Sequence, residues 1–173
     1  MKWESPWGIG FPGWHIECST MSSKYLGLPL DIHGGGKDLI FPHHENEIAQ
    51  AEAATGKKFV NYWLHSEFIL IEGEKMSKSL GNIIHARDAI KKYGWRPLRY
   101  FLISTHYRKE LNFTEEGMEN SQKAVEKILD FVDRIQKTKL NGEYNRAFKD
   151  VITNLKKEFE DHMDDDLDVP GAL

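Results

Sequence analysis

The chain has 173 residues, 29% of them charged and 40% hydrophobic, with a formal net charge of −4; these are values of an ordinary globular protein, long enough for one domain or parts of two. The negative balance gives no bulk attraction to nucleic acid, so any RNA contact must come from local patches. Cys18 is the only cysteine, which excludes an internal disulfide, and the absence of a membrane-length apolar run or an export leader makes the cytoplasm the expected location.

The first residues, MKWESPWGIGFPGWHIEC, crowd three tryptophans and two prolines together with no cap or strand before them, and they read as an opened loop in which Met1 is an internal methionine. From Trp14 to Leu26 the pattern turns helical: Trp14, Cys18, Met21 and Tyr25 recur at helical spacing and Gly27 closes the run. Trp14 and Cys18 then share a face. Leu30 to Ile32 predicts a short buried strand entering a triple-glycine turn, Gly34 to Gly36, where bare backbone lets a ligand approach closely. Asp38 beyond it can accept hydrogen bonds from ribose hydroxyls; a solvated aspartate on a flexible loop is the alternative, since no GxGxxG is present.

Pro42 suits the first turn of the next helix, which opens with two histidines, and Gly56 after Thr55 suits its end. His43 and Glu47 stand four residues apart, so both project from one face and can grip a single ion. With Cys18 they make a candidate zinc set, because thiolate and imidazole suit a borderline-soft ion and three protein ligands leave a position open for substrate. Spacing alone leaves this set and a plain apolar stripe with a small buried cysteine both open. For His33 and His44, a site role and ordinary structural hydrogen bonding also both stay open.

Phe59 to Glu72 is rich in aromatic and β-branched residues, and FILI, Phe68 to Ile71, predicts a buried strand. EGEKMSKSLGN follows over residues 72–82, a loop bracketed by Gly73 and Gly81 in which Lys75, Lys78, Ser77 and Ser79 offer ammonium and hydroxyl groups to phosphate. For an arbitrary KxxK a solvated basic loop is the alternative. Helices are predicted at Ala86 to Tyr93 and Pro97 to Ile103. His106, Tyr107, Arg108 and Lys109 form a basic and aromatic cluster that suits either RNA backbone or a polar connector.

Thr114, Glu115 and Glu116 start another helix, along which Val125, Ile128, Leu129, Val132 and Ile135 make an amphipathic stripe. Asn141 and Gly142 predict a turn, and a second helix from about Asn145 carries Phe148, Ile152, Leu155 and Phe159 on one side. Both stripes read as bundle core. Asp164, Asp165 and Asp166 lack the D-x-D-x-D-G spacing of a calcium loop and read as a solvated connector.

KMSKS after a strand resembles the signature of class I aminoacyl-tRNA synthetases. GWHIECS and DIHGGGKDLIFPHHENEIAQAE resemble the cysteinyl-tRNA synthetases in particular, and SPWG, HYRKELNFTEE and MDDDLDVPGAL follow in that family's order. The resemblance implies an α/β fold: a partial Rossmann-like class I catalytic domain followed by an α-helical bundle segment. Residues 1–82 would be the C-terminal half of the catalytic domain, 83–113 connecting helices that contact the tRNA stem, and 114–173 the start of a truncated anticodon-side bundle.

It further implies that Cys18, His43 and Glu47 bind Zn2+, that Trp14 lines the cysteine pocket, that Gly36 and Asp38 lie near the nucleoside of ATP, and that Lys78 binds ATP. Lys75 and Lys78 would be the catalytic cations. The implied reaction joins cysteine to ATP, with Mg2+, as cysteinyl-adenylate and transfers the aminoacyl group to tRNA(Cys), zinc selecting the substrate thiol. One departure stands out. The family's HIGH signature and a further zinc-binding cysteine are absent, so the chain is expected to be a fragment that neither activates cysteine nor holds zinc tightly alone. Two other readings are a cysteine ligase with a small-molecule amine acceptor and a non-catalytic RNA- or partner-binding module derived from a synthetase.

Overall fold

The structure, a computed structural model, describes residues 2–138 and 146–173; the expected turn at Asn141 and Gly142 lies outside them. The chain divides into two units, Met1–Glu67 and Phe68–Leu173.

The first unit opens with a hairpin rather than the opened loop expected. β1 (Trp3–Ser5) pairs antiparallel with β2 (Gly8–Gly10). The Ser5 hydroxyl donates to the Gly8 carbonyl at 2.7 Å, and Gly8 turns the chain at φ +108°, where a side chain would be strained. α1 (His15–Tyr25) follows and packs on α2 (Glu45–Thr55). β3 (Leu30–Gly36) and β4 (Val60–Ser66) lie side by side in parallel, with α2 in the connection between them, the βαβ unit that a parallel pair requires. Gly56 ends α2 in the left-handed conformation, φ +67°, as its place after Thr55 predicted.

Two expectations are corrected here. Gly34, Gly35 and Gly36 are not a turn: they continue β3, in register with Leu64, His65 and Ser66, and the chain turns only at Lys37–Leu39. The regular helix starts at Glu45, with His43 and His44 in an irregular turn, Ile40–His44, that leads into it. β3 is also less buried than its apolar letters suggest, since Ile32 and its register partner Tyr62 are both largely exposed. The core of this unit is Phe59, Leu30, Ala51 and Val60, with Leu28, Ile48 and Trp63 packed against them.

In the second unit β5 (Ile69–Ile71) pairs antiparallel with β6 (Glu74–Lys75) and parallel with β7 (Leu111–Phe113). α3 (Ala86–Tyr93) and α4 (Trp95–Ile103) fill the connection from β6 to β7. Phe101, Phe113 and Met118 form the core, flanked by Ile69, Ile71 and Leu98 among others. α5 (Glu115–Lys137) begins at Thr114, whose hydroxyl accepts the Gly117 N–H at 3.0 Å. Gly117 lets α5 approach α4 closely, for a Cβ there would fall 2.9 Å from the Phe101 ring.

Beyond that contact the stripes on α5 and α6 (Arg146–Asp164) are not buried: Ile128, Phe131, Ile135, Phe148, Leu155 and Phe159 are exposed. The expectation of bundle core fails because no element among the described residues covers these faces. Asp166 is likewise no solvated connector. Its carboxylate accepts from Arg108 through two nitrogens and from the Tyr107 hydroxyl, and the His106 ring meets its carbonyl at 3.1 Å. The cluster at His106–Arg108 therefore ties the segment after α4 to the chain leading into α7 (Val169–Ala172). No helix among the described residues is long and apolar enough to cross a membrane.

Two outcomes follow from these contacts. Phe59 has no exposed surface, so Phe59→Ala should lower the stability of the first unit by about 3–5 kcal/mol, read from urea unfolding followed by tryptophan fluorescence. Arg108 and Tyr107 hold the Asp166 carboxyl at about 2, below its usual 3.8. A depressed carboxyl contributes stability that is fully present above its unfolded value and is lost as pH falls through its folded one. The difference in thermal midpoint between the parent and Asp166→Asn should therefore be constant above about pH 5 and shrink toward pH 2.

Candidate metal centre

The parallel register of β3 and β4 sets a row of rings on one face of the sheet. Alternate residues share a face, so His33 and Gly35 stand with their partners Trp63 and His65. Gly35 opens the space that His44 occupies: a Cβ there would lie 2.7 Å from Leu39 Cδ1 and 3.0 Å from His44 Cε1. Five of the eight histidines, His15, His33, His43, His44 and His65, belong to this unit. His44 Nδ1 lies 2.7 Å from His65 Nε2, and His15 Nδ1 lies 2.7 Å from His43 Nδ1.

At the centre is Glu47, on the first turn of α2 and fully buried. Its Oε1 is 2.8 Å from His43 Nε2 and its Oε2 is 2.8 Å from His33 Nε2. Neither contact has the alignment of a hydrogen bond, so both carboxylate oxygens are buried without a properly directed donor. Cys18 comes from α1, and ligand atoms of Cys18, His43 and Glu47 all lie within 4.8 Å of one another; so do those of His33, His44 and Glu47. The Trp14 ring is stacked on His43, with centroids 3.9 Å apart.

Electrostatics favour a cation here. Burial pushes the Cys18 thiol up, and the negative charge of Glu47 raises it further. Burial also lowers His44 to about 4, helped by the neighbouring His33, His65 and His43 rings. A buried carboxylate with no compensating positive charge is costly. A divalent ion would give it one and would draw the proton from the thiol. On donor chemistry and on the orphaned oxygens, sulfur, imidazole and carboxylate fit zinc.

The other expected site residues lie elsewhere. Gly36 ends β3, and Asp38 sits exposed in the turn after it; a Cβ at Gly36 would fall 2.5 Å from Asp38 Oδ1, so the glycine lets that carboxylate fold back over the strand end. Lys75 and Lys78 belong to the second unit. Lys75 closes β6 with its Nζ 4.0 Å from the Phe68 ring centroid, and Lys78 is exposed. The loop around Lys78 is pinned by Asn82, whose Oδ1 accepts the Ser77 N–H at 2.8 Å and whose Nδ2 donates to the Lys75 carbonyl. The rings of His15, His65 and Trp63 are not singled out by spacing; the register of β3 and β4 brings in Trp63 and His65, and the packing of α1 on α2 brings in His15.

The chain has relatives among known proteins in both sequence and fold. The family description "tRNA synthetases class I (C) catalytic domain" matches residues 1–123. The cysteine–tRNA ligase of Thermococcus onnurineus is 49% identical over 181 residues, 99% of this chain and 38% of that protein. Those of Carboxydothermus hydrogenoformans and Saccharolobus solfataricus are each 50% identical, again over 99% of this chain and over 37% and 38% of theirs. The chain thus spans under two fifths of the length of these relatives. In fold it is similar to an Agrobacterium radiobacter LeuRS solved as a ternary LeuRS–tRNA–LeuAMS complex, with a TM-score of 0.71 at 14% identity, over 99% of this chain and 28% of that one.

The close approach at Gly35 is testable. Gly35→Ala should displace the His44 ring and cost about 1–3 kcal/mol of stability by overpacking, seen as a lower urea midpoint together with shifted His44 ring resonances.

Proposed function

The chain belongs to the class I tRNA synthetase (C) catalytic-domain family, and on that premise we propose that it is part of a cysteine–tRNA ligase acting in the cytoplasm. The match to relatives bearing that name over 99% of this chain supports the reading, and one structural observation carries it: Cys18, His43 and Glu47 bring a sulfur, an imidazole nitrogen and a carboxylate oxygen within 4.8 Å. We assign residues 1–82 to the second half of a Rossmann-like catalytic domain, 83–113 to connecting helices on the tRNA stem side, and 114–173 to the start of an anticodon-side bundle. Cysteine, ATP with Mg2+ and tRNA(Cys) are the proposed substrates.

Zn2+ bound by Cys18, His43 and Glu47 supplies a borderline-soft centre that prefers a thiolate to a hydroxyl, the chemical difference between cysteine and serine. The protein's own groups prepare that site. His43 is fixed between the Trp14 ring and His15, and Trp14, exposed on its far side, offers a wall for the substrate side chain. Demanding a specific bond from the substrate allows discrimination of roughly 10⁴ or more without editing. At the end of β3, Gly36 and Asp38 offer bare backbone and an acceptor to the nucleoside. Lys78, exposed on a loop held by Ser77 and Asn82, is available to oppose charge on the phosphates of ATP, and Lys75 is the second cation of that loop.

A chimera carrying this chain in place of the matching segment of the Thermococcus onnurineus relative tests the assignment. It should sustain ATP–pyrophosphate exchange with cysteine and not with serine. Lys78→Ala in the chimera should lower that exchange by about 10²–10³-fold, as loss of a charge-stabilising group does. Unchanged exchange in Lys78→Ala, or exchange as rapid with serine as with cysteine, would contradict the reading.

A further inference from the structure

Glu47 has two oxygens, and they face different donor sets. Oε1 lies against His43, the partner of Cys18; Oε2 lies 2.8 Å from His33 Nε2. An ion held by Cys18, His43 and one oxygen leaves the other buried and without a directed donor, an arrangement costlier for a charged group than for an ordinary polar one. His33, His44 and Glu47 place their own ligand atoms within 4.8 Å of one another, the same limit that the Cys18 set meets. We propose that His33, His44 and Glu47 form a second divalent transition-metal position, with the Glu47 carboxylate bridging it to the first.

The surroundings of these side chains suit ligands better than bystanders. His44 Nδ1 is paired with His65 Nε2 at 2.7 Å, which leaves His44 Nε2 for an ion and makes His65 the outer partner that sets the tautomer and ring angle, an arrangement common behind metal-binding imidazoles. His33 is held edge-on against Trp63, with centroids 4.9 Å apart. His44 is buried, whereas His33 is partly exposed and gives solvent a way in. Two imidazoles and a carboxylate oxygen, with no sulfur, suit Zn2+, Co2+ or Ni2+ and leave room for further ligands. The position does not require Cys18, so it stands or falls separately from the zinc site proposed above.

Cobalt(II) alone, titrated into the 173-residue chain, separates the two. In the parent, under excess cobalt, a thiolate-to-cobalt charge-transfer band should level off at the intensity of one thiolate-bound ion per chain while the visible ligand-field bands correspond to two bound ions. Cys18→Ser should abolish the charge-transfer band and retain ligand-field absorption. Adding His33→Gln and His44→Gln to Cys18→Ser should weaken that remaining binding by about tenfold or more. If Cys18→Ser binds no cobalt, or if binding in it survives both glutamine substitutions, the second position does not exist. Should the triple variant lose its far-ultraviolet circular dichroism, Gly35→Ala replaces it: a Cβ 3.3 Å from His44 Nε2 should weaken the second equivalent and spare the charge-transfer band, and an unaffected second equivalent would overturn the proposal. Absence of the charge-transfer band in the parent would instead count against the Cys18 site.

Discussion

A carboxylate sealed from water is the constraint on which the first unit depends. Glu47 has no exposed surface, and an uncompensated buried charge costs several kcal/mol. The fold answers by surrounding it with groups that can accept or share a cation: a thiol from α1, imidazoles from β3 and the turn before α2. Each arrives by a different route. α2 can place Glu47 over the sheet because β3 and β4 pair in parallel with the helix in their connection. The rings fit beneath it because glycine, not a larger residue, stands at position 35.

Much of this was legible in the sequence because it is local. Pro42 and Gly56 bracket α2 near its real limits, the four-residue step from His43 to Glu47 gives one face, and the spacing from Trp14 to Tyr25 gives α1. The ring cluster was not legible. His33 on β3 reaches Glu47 only through the tertiary approach of strand and helix, and His65 comes beside His44 only through the register of two strands some thirty residues apart; nothing in local spacing fixes either. The glycines misled for a related reason. Three in a row suggest a turn, yet here they are strand residues, and the missing side chain at Gly35 admits Leu39 and His44.

The second unit shows the same division between local and distant causes. Thr114 as a helix cap and the strand before KMSKS were readable from a few residues. Pairing of β7 with β5, and capture of Asp166 by Arg108 and Tyr107, join segments about forty and sixty residues apart. The amphipathic stripes of α5 and α6 were read correctly as apolar faces but not as exposed ones, since a stripe says that a surface should be covered and not by what. Lys78 presents its charge to solvent on a loop whose backbone is tied by Asn82, a group fixed at its base and open at its tip.

The central claim is that an ion held by Cys18, His43 and Glu47 takes the thiol of cysteine. X-ray absorption at the zinc edge, on the chimera holding a single equivalent of zinc, measures this directly by counting sulfur neighbours with and without amino acid. The count should rise by one when cysteine is added and stay unchanged with serine. A count that does not move with cysteine would contradict the account.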